Sequence, residues 1–193
     1  MTNTDVVRKM LMNTEREGMA DLLQYMSEIG FLTAPCSGGH HLAKEGGLLE
    51  HSVNVFRIAE NVGVALMGGA EYNKIRHSVA IAALLHDLGK CGQFGKPEYV
   101  PNILKDGKQS EAKPYQRNKD LLNVPHEIRS VAIAQMFIDL TEEEQHAILF
   151  HNGLYTPLGR ELTGNETPLQ MLIHFSDMWA SRVVEQNNKE EEK

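Results

Sequence analysis

Apolar residues recur at helical spacing along most of the chain. Met19, Leu22, Leu23, Met26 and Ile29 fall three or four positions apart and predict a helix that Gly30 stops. Thr33 to Gly47 contains Pro35 and four glycines, and it reads as a loop. The loop leads into a helix that begins near Gly47, carries His51 in its first turns, and continues through Val53, Phe56 and Val62 toward Gly68 and Gly69. A further helix is expected from Glu71 to Leu88. Its second half is an unbroken apolar run from Val79 to Leu85, and Gly89 is expected to close it as a left-handed cap. That placement leaves His86 and Asp87 in the last turn, with Lys90 just beyond it.

Residues 91–122 break the pattern. Tyr99, Val100, Ile103 and Leu104 lead to an Asp106-Gly107 turn signal, and Tyr115 lies beyond it, so a small β-hairpin is expected there. Helices resume at His126, where Pro125 suits a first turn, and the first is expected to reach Asp139. Thr141 and Glu144 form a capping-box pattern that opens a helix running to His151, before Asn152-Gly153 ends it. After a loop with Pro157 and Gly159, Thr167-Pro168 opens a last helix that carries His174 and Asp177 to about Val184. Glu185 to Lys193 is polar and charged and reads as a frayed tail. The expected fold class is therefore all-α, a helical bundle with a small β-hairpin insertion near residues 98–117. It forms a single domain over residues 1–185, followed by a disordered charged tail at 186–193.

Composition narrows the function. The 193 residues, 41% of them hydrophobic, are enough to bury one full core. No apolar run reaches 18 residues, and no basic start precedes an apolar core, so neither a membrane span nor secretion is expected. Cys36 and Cys91, with no CxxC spacing, suit a reducing cytosol, so a cytoplasmic location is expected. Long nucleic acids are held largely by lysine and arginine on phosphates. A chain of net charge −7 without a basic block is therefore expected to act on a small phosphorylated molecule rather than on a duplex.

The candidate chemistry begins at His86-Asp87. Neighbouring helical residues point about 100° apart, so this pair can flank one metal from a single segment. A carboxylate has two oxygens, so Asp87 could bridge two cations while His51, His86, His126 and His151 complete their coordination. Two such metals lie about 3.5–4 Å apart, the spacing that clamps a phosphoryl group and lowers the pKa of a bound water to about 7. Without a metal, burying these imidazoles together with Asp87 and Asp177 would cost several kcal/mol.

Five stretches, HHLAKEGGLLEHSVNVFRIAENV, AALLHDLGK, HEIRSVAIAQMF, EEEQHAILFHNG and MLIHFSDMWASRV, together resemble the HD-domain superfamily of metal-dependent phosphohydrolases. The resemblance runs from about residue 15 to residue 185. It is most similar to short phage and prophage HD hydrolases and to the HD part of bacterial 3′ to 5′ exoribonucleases. It implies that His51, His86, Asp87 and Asp177 hold a first metal, and that His126 and His151 hold a second with Asp87 bridging. Many two-metal members carry another His directly after the position of His151. Asn152 stands there in this chain and leaves the second site one imidazole poorer.

The resemblance also implies a catalytic role for Asp87 and for Lys90, the latter facing substrate phosphate. The implied cofactor is one or two divalent transition metals, Mn, Fe, Co, Ni or Zn. The implied reaction is hydrolysis of a phosphate ester of a nucleotide or similar small substrate through a metal-bridging hydroxide. Two other readings use the same residues, a mixed-valence diiron oxygenase and a non-catalytic nucleotide-binding module. Among the remaining polar residues, His174 is a candidate to orient Asp177. His41 is a candidate to line the pocket, with structure as its default role. Glu50, Glu127 and Arg129 flank ligands, Lys105, Lys108 and Arg117 belong to the hairpin, and His40, His77 and His146 have no matched role.

Overall fold

A computed structural model describes residues 1–187, so residues 188–193 of the expected tail lie outside it. The chain forms helices α1 (Asn3–Met12), α2 (Met19–Glu28), α3 (Gly47–Met67) and α4 (Gly69–Leu85), then strands β1 (Tyr99–Pro101) and β2 (Tyr115–Arg117). Helices α5 (His126–Ala134), α6 (Glu142–Leu149), α7 (Pro168–Trp179) and α8 (Glu185–Asn187) follow. A π-helical turn, Ala180–Val184, joins α7 to α8. The architecture is all-α with one two-stranded antiparallel hairpin.

Helix α1 is an addition to the expected order. Thr2 caps it: the Asp5 amide donates to Thr2 Oγ1 at 3.1 Å, and the Thr2 amide donates to Asp5 Oδ2 at 2.9 Å. Val6, Val7 and Leu11 are buried where α1 meets α3 and α4. The long α3 lies at the centre of the bundle, packed against α4 and α7, while α6 bridges α4 and α7. The Val79–Leu85 run explains how the site is placed. Each of its residues is at most 5% exposed, as a helix that is apolar on every side must be. The end of α4 is thus driven into the middle of the protein and takes His86 and Asp87 with it.

Several expected boundaries shift, with α4 ending at Leu85 rather than Leu88 and α7 at Trp179 rather than Val184. Helix α5 stops at Ala134, with short i→i−3 bonds from Met136 to Ile133 and from Phe137 to Ala134 closing it. The chain then turns so that Asp139 offers its carbonyl to the Arg16 guanidinium just before the α6 capping box. Gly89 ends nothing in a left-handed conformation. It lies in a 3₁₀ turn, Leu88–Cys91, at negative φ, and a methyl group on it would overlap the His126 carbonyl. Glycine is needed there for close approach of the backbones of α5 and this turn. The Gly89 amide donates to Ser130 Oγ at 2.8 Å and fixes the contact.

The hairpin has the expected turn. Tyr99 pairs with Arg117 and Pro101 with Tyr115, and the Gly107 amide donates to the Leu104 carbonyl at 3.0 Å to close the tip. The Tyr115 amide donates to the Gly38 carbonyl at 3.0 Å, tying the hairpin to the loop that precedes α3.

Candidate metal centre

His86 follows the last residue of α4, and His151 follows α6 by two. Each uses Nδ1 to satisfy a carbonyl at its helix end: His86 donates to Ala83 at 2.9 Å and His151 to Ile148 at 2.7 Å. In the neutral ring, a proton on Nδ1 leaves the lone pair on Nε2. Local helix chemistry therefore decides which ring nitrogen faces the interior.

Asp87 lies between two pairs of such nitrogens. Its Oδ2 is 3.5 Å from His51 Nε2 and 3.4 Å from His86 Nε2. Its Oδ1 is 3.1 Å from His126 Nε2 and 3.5 Å from His151 Nε2. Within each pair the imidazoles meet nitrogen to nitrogen, at 3.3 Å for His51 and His86 and at 3.4 Å for His126 and His151. Asp177 Oδ1 reaches His51 Nε2 at 3.1 Å. His51, His86, Asp87 and His151 are at most 1% exposed, and Asp87 Oδ1 is buried without accepting a hydrogen bond. Converging lone pairs and an orphaned carboxylate oxygen form an unfavourable arrangement for protein alone. They are the donor set of a divalent cation, so the residues fit one. Ligand atoms of His51, His86 and Asp177 lie within 4.8 Å of one another, as do those of His86, Asp87 and His151.

Two carboxylates that the sequence did not single out as positioning groups support the rings. Glu185 Oε1 accepts from His51 Nδ1 at 2.9 Å and from Asn54 Nδ2 at 3.2 Å. Glu185 is 2% exposed, which corrects its assignment to a frayed tail. The reason lies in the π turn. Eight residues beyond Asp177 on an unbroken α-helix would point about 80° away from it. The wider turn over Ala180–Val184 spends extra residues and rotates Glu185 back toward His51. Glu127 is the second carboxylate, with Oε2 3.4 Å from His126 Nδ1 and Oε1 accepting from Asn152 Nδ2 at 2.9 Å.

Most of the ionisation states suit cation binding, and His51 is the exception, since a cation would have to displace its inner proton. Burial, then the neighbouring His86 charge, pushes His151 down to about 3. Burial would raise Asp87, but the Lys90 and His86 charges hold it well below the usual carboxylate range. Burial would likewise raise Asp177, yet its hydrogen bond to His51 holds it low. Burial opposes a charge on His51, and the acidic groups around it, Cys36, Asp177 and Glu185, outweigh that and raise it. At neutral pH the centre thus offers ionised carboxylates and a neutral His151.

Lys90 Nζ lies 2.6 Å from Asp87 Oδ2 and borders the cluster. On the same side Cys36 Sγ is 3.3 Å from His41 Nε2, so His41 does line this region. Burial moves Cys36 up to about 11 and His41 down to about 4. His174 does not orient Asp177. Its Nδ1 donates to the His151 carbonyl at 2.7 Å, and its ring packs on Gly153, whose φ of +54° presents a bare Cα. Beyond Asp177 a cavity of about 90 Å³ opens between Tyr155, His174 and Arg182, with the Arg182 guanidinium 4.6 Å above the Tyr155 ring.

Other candidates have structural partners. Arg117 donates to Glu98 Oε1 at 2.6 Å, and Arg129 donates to Gln93 Oε1 and the Leu122 carbonyl, latching the insertion to α5. Glu50 pairs with Lys44. Lys105 and Lys108 are exposed at the hairpin tip, as are His40 and His77 elsewhere, while His146 packs at a tilt against Phe150. Among the described residues no helix is long and apolar enough to cross a membrane.

A family model described as "HD domain" matches residues 48–178, which include all six clustered residues. No curated protein and no solved structure matches the chain.

Proposed function

Because the chain belongs to the HD-domain family, whose members are mostly metal-dependent hydrolases, we propose that it is a phosphohydrolase acting on a small phosphorylated substrate, a nucleotide or a close relative. The observation that carries this reading is Asp87, with each carboxylate oxygen facing its own pair of imidazole nitrogens.

His51, His86, Asp87 and Asp177 would hold a divalent metal, and Asp87, His126 and His151 would be the donors for any second one. When bound, the metal supplies positive charge for phosphoryl oxygens and a water acidic enough to ionise near neutral pH. Glu185 holds the His51 ring in register by its hydrogen bond and makes it a better donor, and Glu127 sets a negative charge 3.4 Å behind the His126 ring. Asp87 keeps its negative charge at working pH. Lys90, 15% exposed at its side chain and adjacent to Asp87, is the chain's own cation for a phosphoryl oxygen that arrives at the cluster. Arg182 and Tyr155 border the cavity next to Asp177, where a charged group and a ring face suit a phosphate and a base. A net charge of −7 supports a small substrate drawn in locally over a long polyanion.

The test is hydrolysis of a panel of mononucleotides, deoxynucleoside triphosphates, cyclic nucleotides and bis(p-nitrophenyl) phosphate, with Mn²⁺, Co²⁺, Ni²⁺, Zn²⁺ or Fe²⁺ added. Metal-dependent hydrolysis, read as released phosphate, monoester or p-nitrophenol according to the substrate, is expected to disappear in Asp87→Ala. Equal turnover by the folded variant would overturn the mechanism.

A further inference from the structure

Asn152 stands at the mouth of the second half of the cluster, and its amide nitrogen is engaged on several sides. Nδ2 donates to Glu127 Oε1 at 2.9 Å, lies 2.9 Å from His151 Nε2, and lies 3.4 Å from His126 Nε2. The His151 contact has a fixed polarity. Because His151 Nδ1 gives its proton to the Ile148 carbonyl, Nε2 can only accept, and the second amide proton of Asn152 points at that lone pair. A second metal would need the same lone pair, at about 2.0–2.1 Å.

We infer that the Asn152 amide takes the position of the second cation, so that this centre binds one metal, among His51, His86, Asp87 and Asp177. Turning the amide over to offer its oxygen as a ligand is opposed by Glu127. The turn would set that oxygen about 2.9 Å from the Glu127 carboxylate, two acceptors with no proton between them. Swinging Asn152 away would leave the 2%-exposed Glu127 without its amide donor. Glu127 therefore holds the amide in place, and the amide caps His151. The functional consequence is selective. A single metal next to Lys90 still serves phosphate hydrolysis, whereas chemistry that shares electrons between two irons has no place for its second iron.

This inference rests on the reading of the cluster as a metal site, and metal stoichiometry tests it without any substrate. Wild-type protein, Asn152→His and Asn152→Ala are saturated with Mn²⁺, desalted, and examined by native mass spectrometry and elemental analysis. Calorimetric titration then gives each affinity. One tightly held ion in wild type and two in Asn152→His are expected. In Asn152→Ala, where no new ligand is added, the second equivalent should bind about 10-fold more tightly than in wild type. Asn152→Ala also decides the matter if an imidazole prevents folding. Two tight ions in wild type, or no gain in either folded variant, would overturn the inference while leaving the metal site itself intact. No ion in wild type would overturn both.

Discussion

His51 is gripped at both ring nitrogens by carboxylates from one continuous helical segment, and its partner on the outer nitrogen is Glu185, 2.9 Å from Nδ1. Asp177 takes the inner nitrogen, Nε2, at 3.1 Å. A ring fixed from behind by a carboxylate keeps its tautomer and its aim, and it is a stronger donor for a cation. Glu185→Ala is therefore expected to lower metal affinity by about 10–100-fold. Glu185→Gln, which retains one acceptor oxygen, should lose less. Metal titration by calorimetry checks both variants, and unchanged affinity in Glu185→Ala would reduce the residue to a packing role.

Lys90 touches the same carboxylate that the metal would use, which allows its two possible roles to be separated. As a phosphate contact, it should when replaced by methionine lose about 100-fold in kcat with metal content unchanged. As only a counter-ion to Asp87, it should alter metal affinity and leave turnover of the metal-saturated enzyme alone. Steady-state kinetics at saturating metal distinguishes these outcomes.

Gly89 sets the distance between the turn after α4 and the start of α5, and so between Asp87 and His126. Alanine there would overlap the His126 carbonyl and come within 2.9 Å of Arg129 Cβ. A loss of about 1–3 kcal/mol in stability is expected, read as a lower urea midpoint. Gly69→Ala is the control, since a methyl there meets nothing within 4 Å and its φ is ordinary. A Gly89→Ala midpoint equal to that of the control would show that the contact yields freely.

Acid should weaken the packing of α6 against the N-terminal region. Glu144, buried at 0% exposure, receives both Arg16 guanidinium nitrogens at 2.9–3.0 Å, the Ser78 hydroxyl at 2.8 Å and the Thr141 amide at 2.9 Å. Burial raises its pKa, but these donors outweigh that and hold it below the ordinary 4.5. A depressed folded-state pKa adds stability above the unfolded value. That contribution is lost as pH falls below about 4.5 and through the folded pKa. At pH 7, Arg16→Ala should cost on the order of 2 kcal/mol. The gap between wild type and Glu144→Gln in urea unfolding should narrow as pH falls below about 4.5. A gap independent of pH would contradict the ionised pair.

The helices and the hairpin were legible because each has a local signature, such as the solid apolar run Val79–Leu85 or the Thr141–Glu144 capping box. Helix α1 had such a signature as well, with Thr2 three residues ahead of Asp5 and apolar Val6, Val7 and Leu11, and the expected element order did not include it. The six residues that cluster were legible as an ordered set, since His86-Asp87 fixes one segment and the others recur at helix ends. What was hidden depends on backbone details that no periodicity reveals. Glu185 faces His51 only because a π turn intervenes, and an α-helical wheel places it elsewhere. Gly89 looked like a helix stop because the sequence cannot show the His126 carbonyl packed against it. Asn152 could be seen to replace an imidazole, but its engagement with His151 and Glu127 emerges only when α5 and α6 are brought together.

The central claim is that the cluster around Asp87 is a metal centre, and metal analysis of protein purified without chelators tests it most directly. Wild-type protein is expected to retain divalent transition metal, and Asp87→Ala, with an unchanged helical circular dichroism spectrum, is expected to lose it. A wild-type chain that takes up no metal even after metal is added back, or a variant that keeps its full complement, would contradict the account.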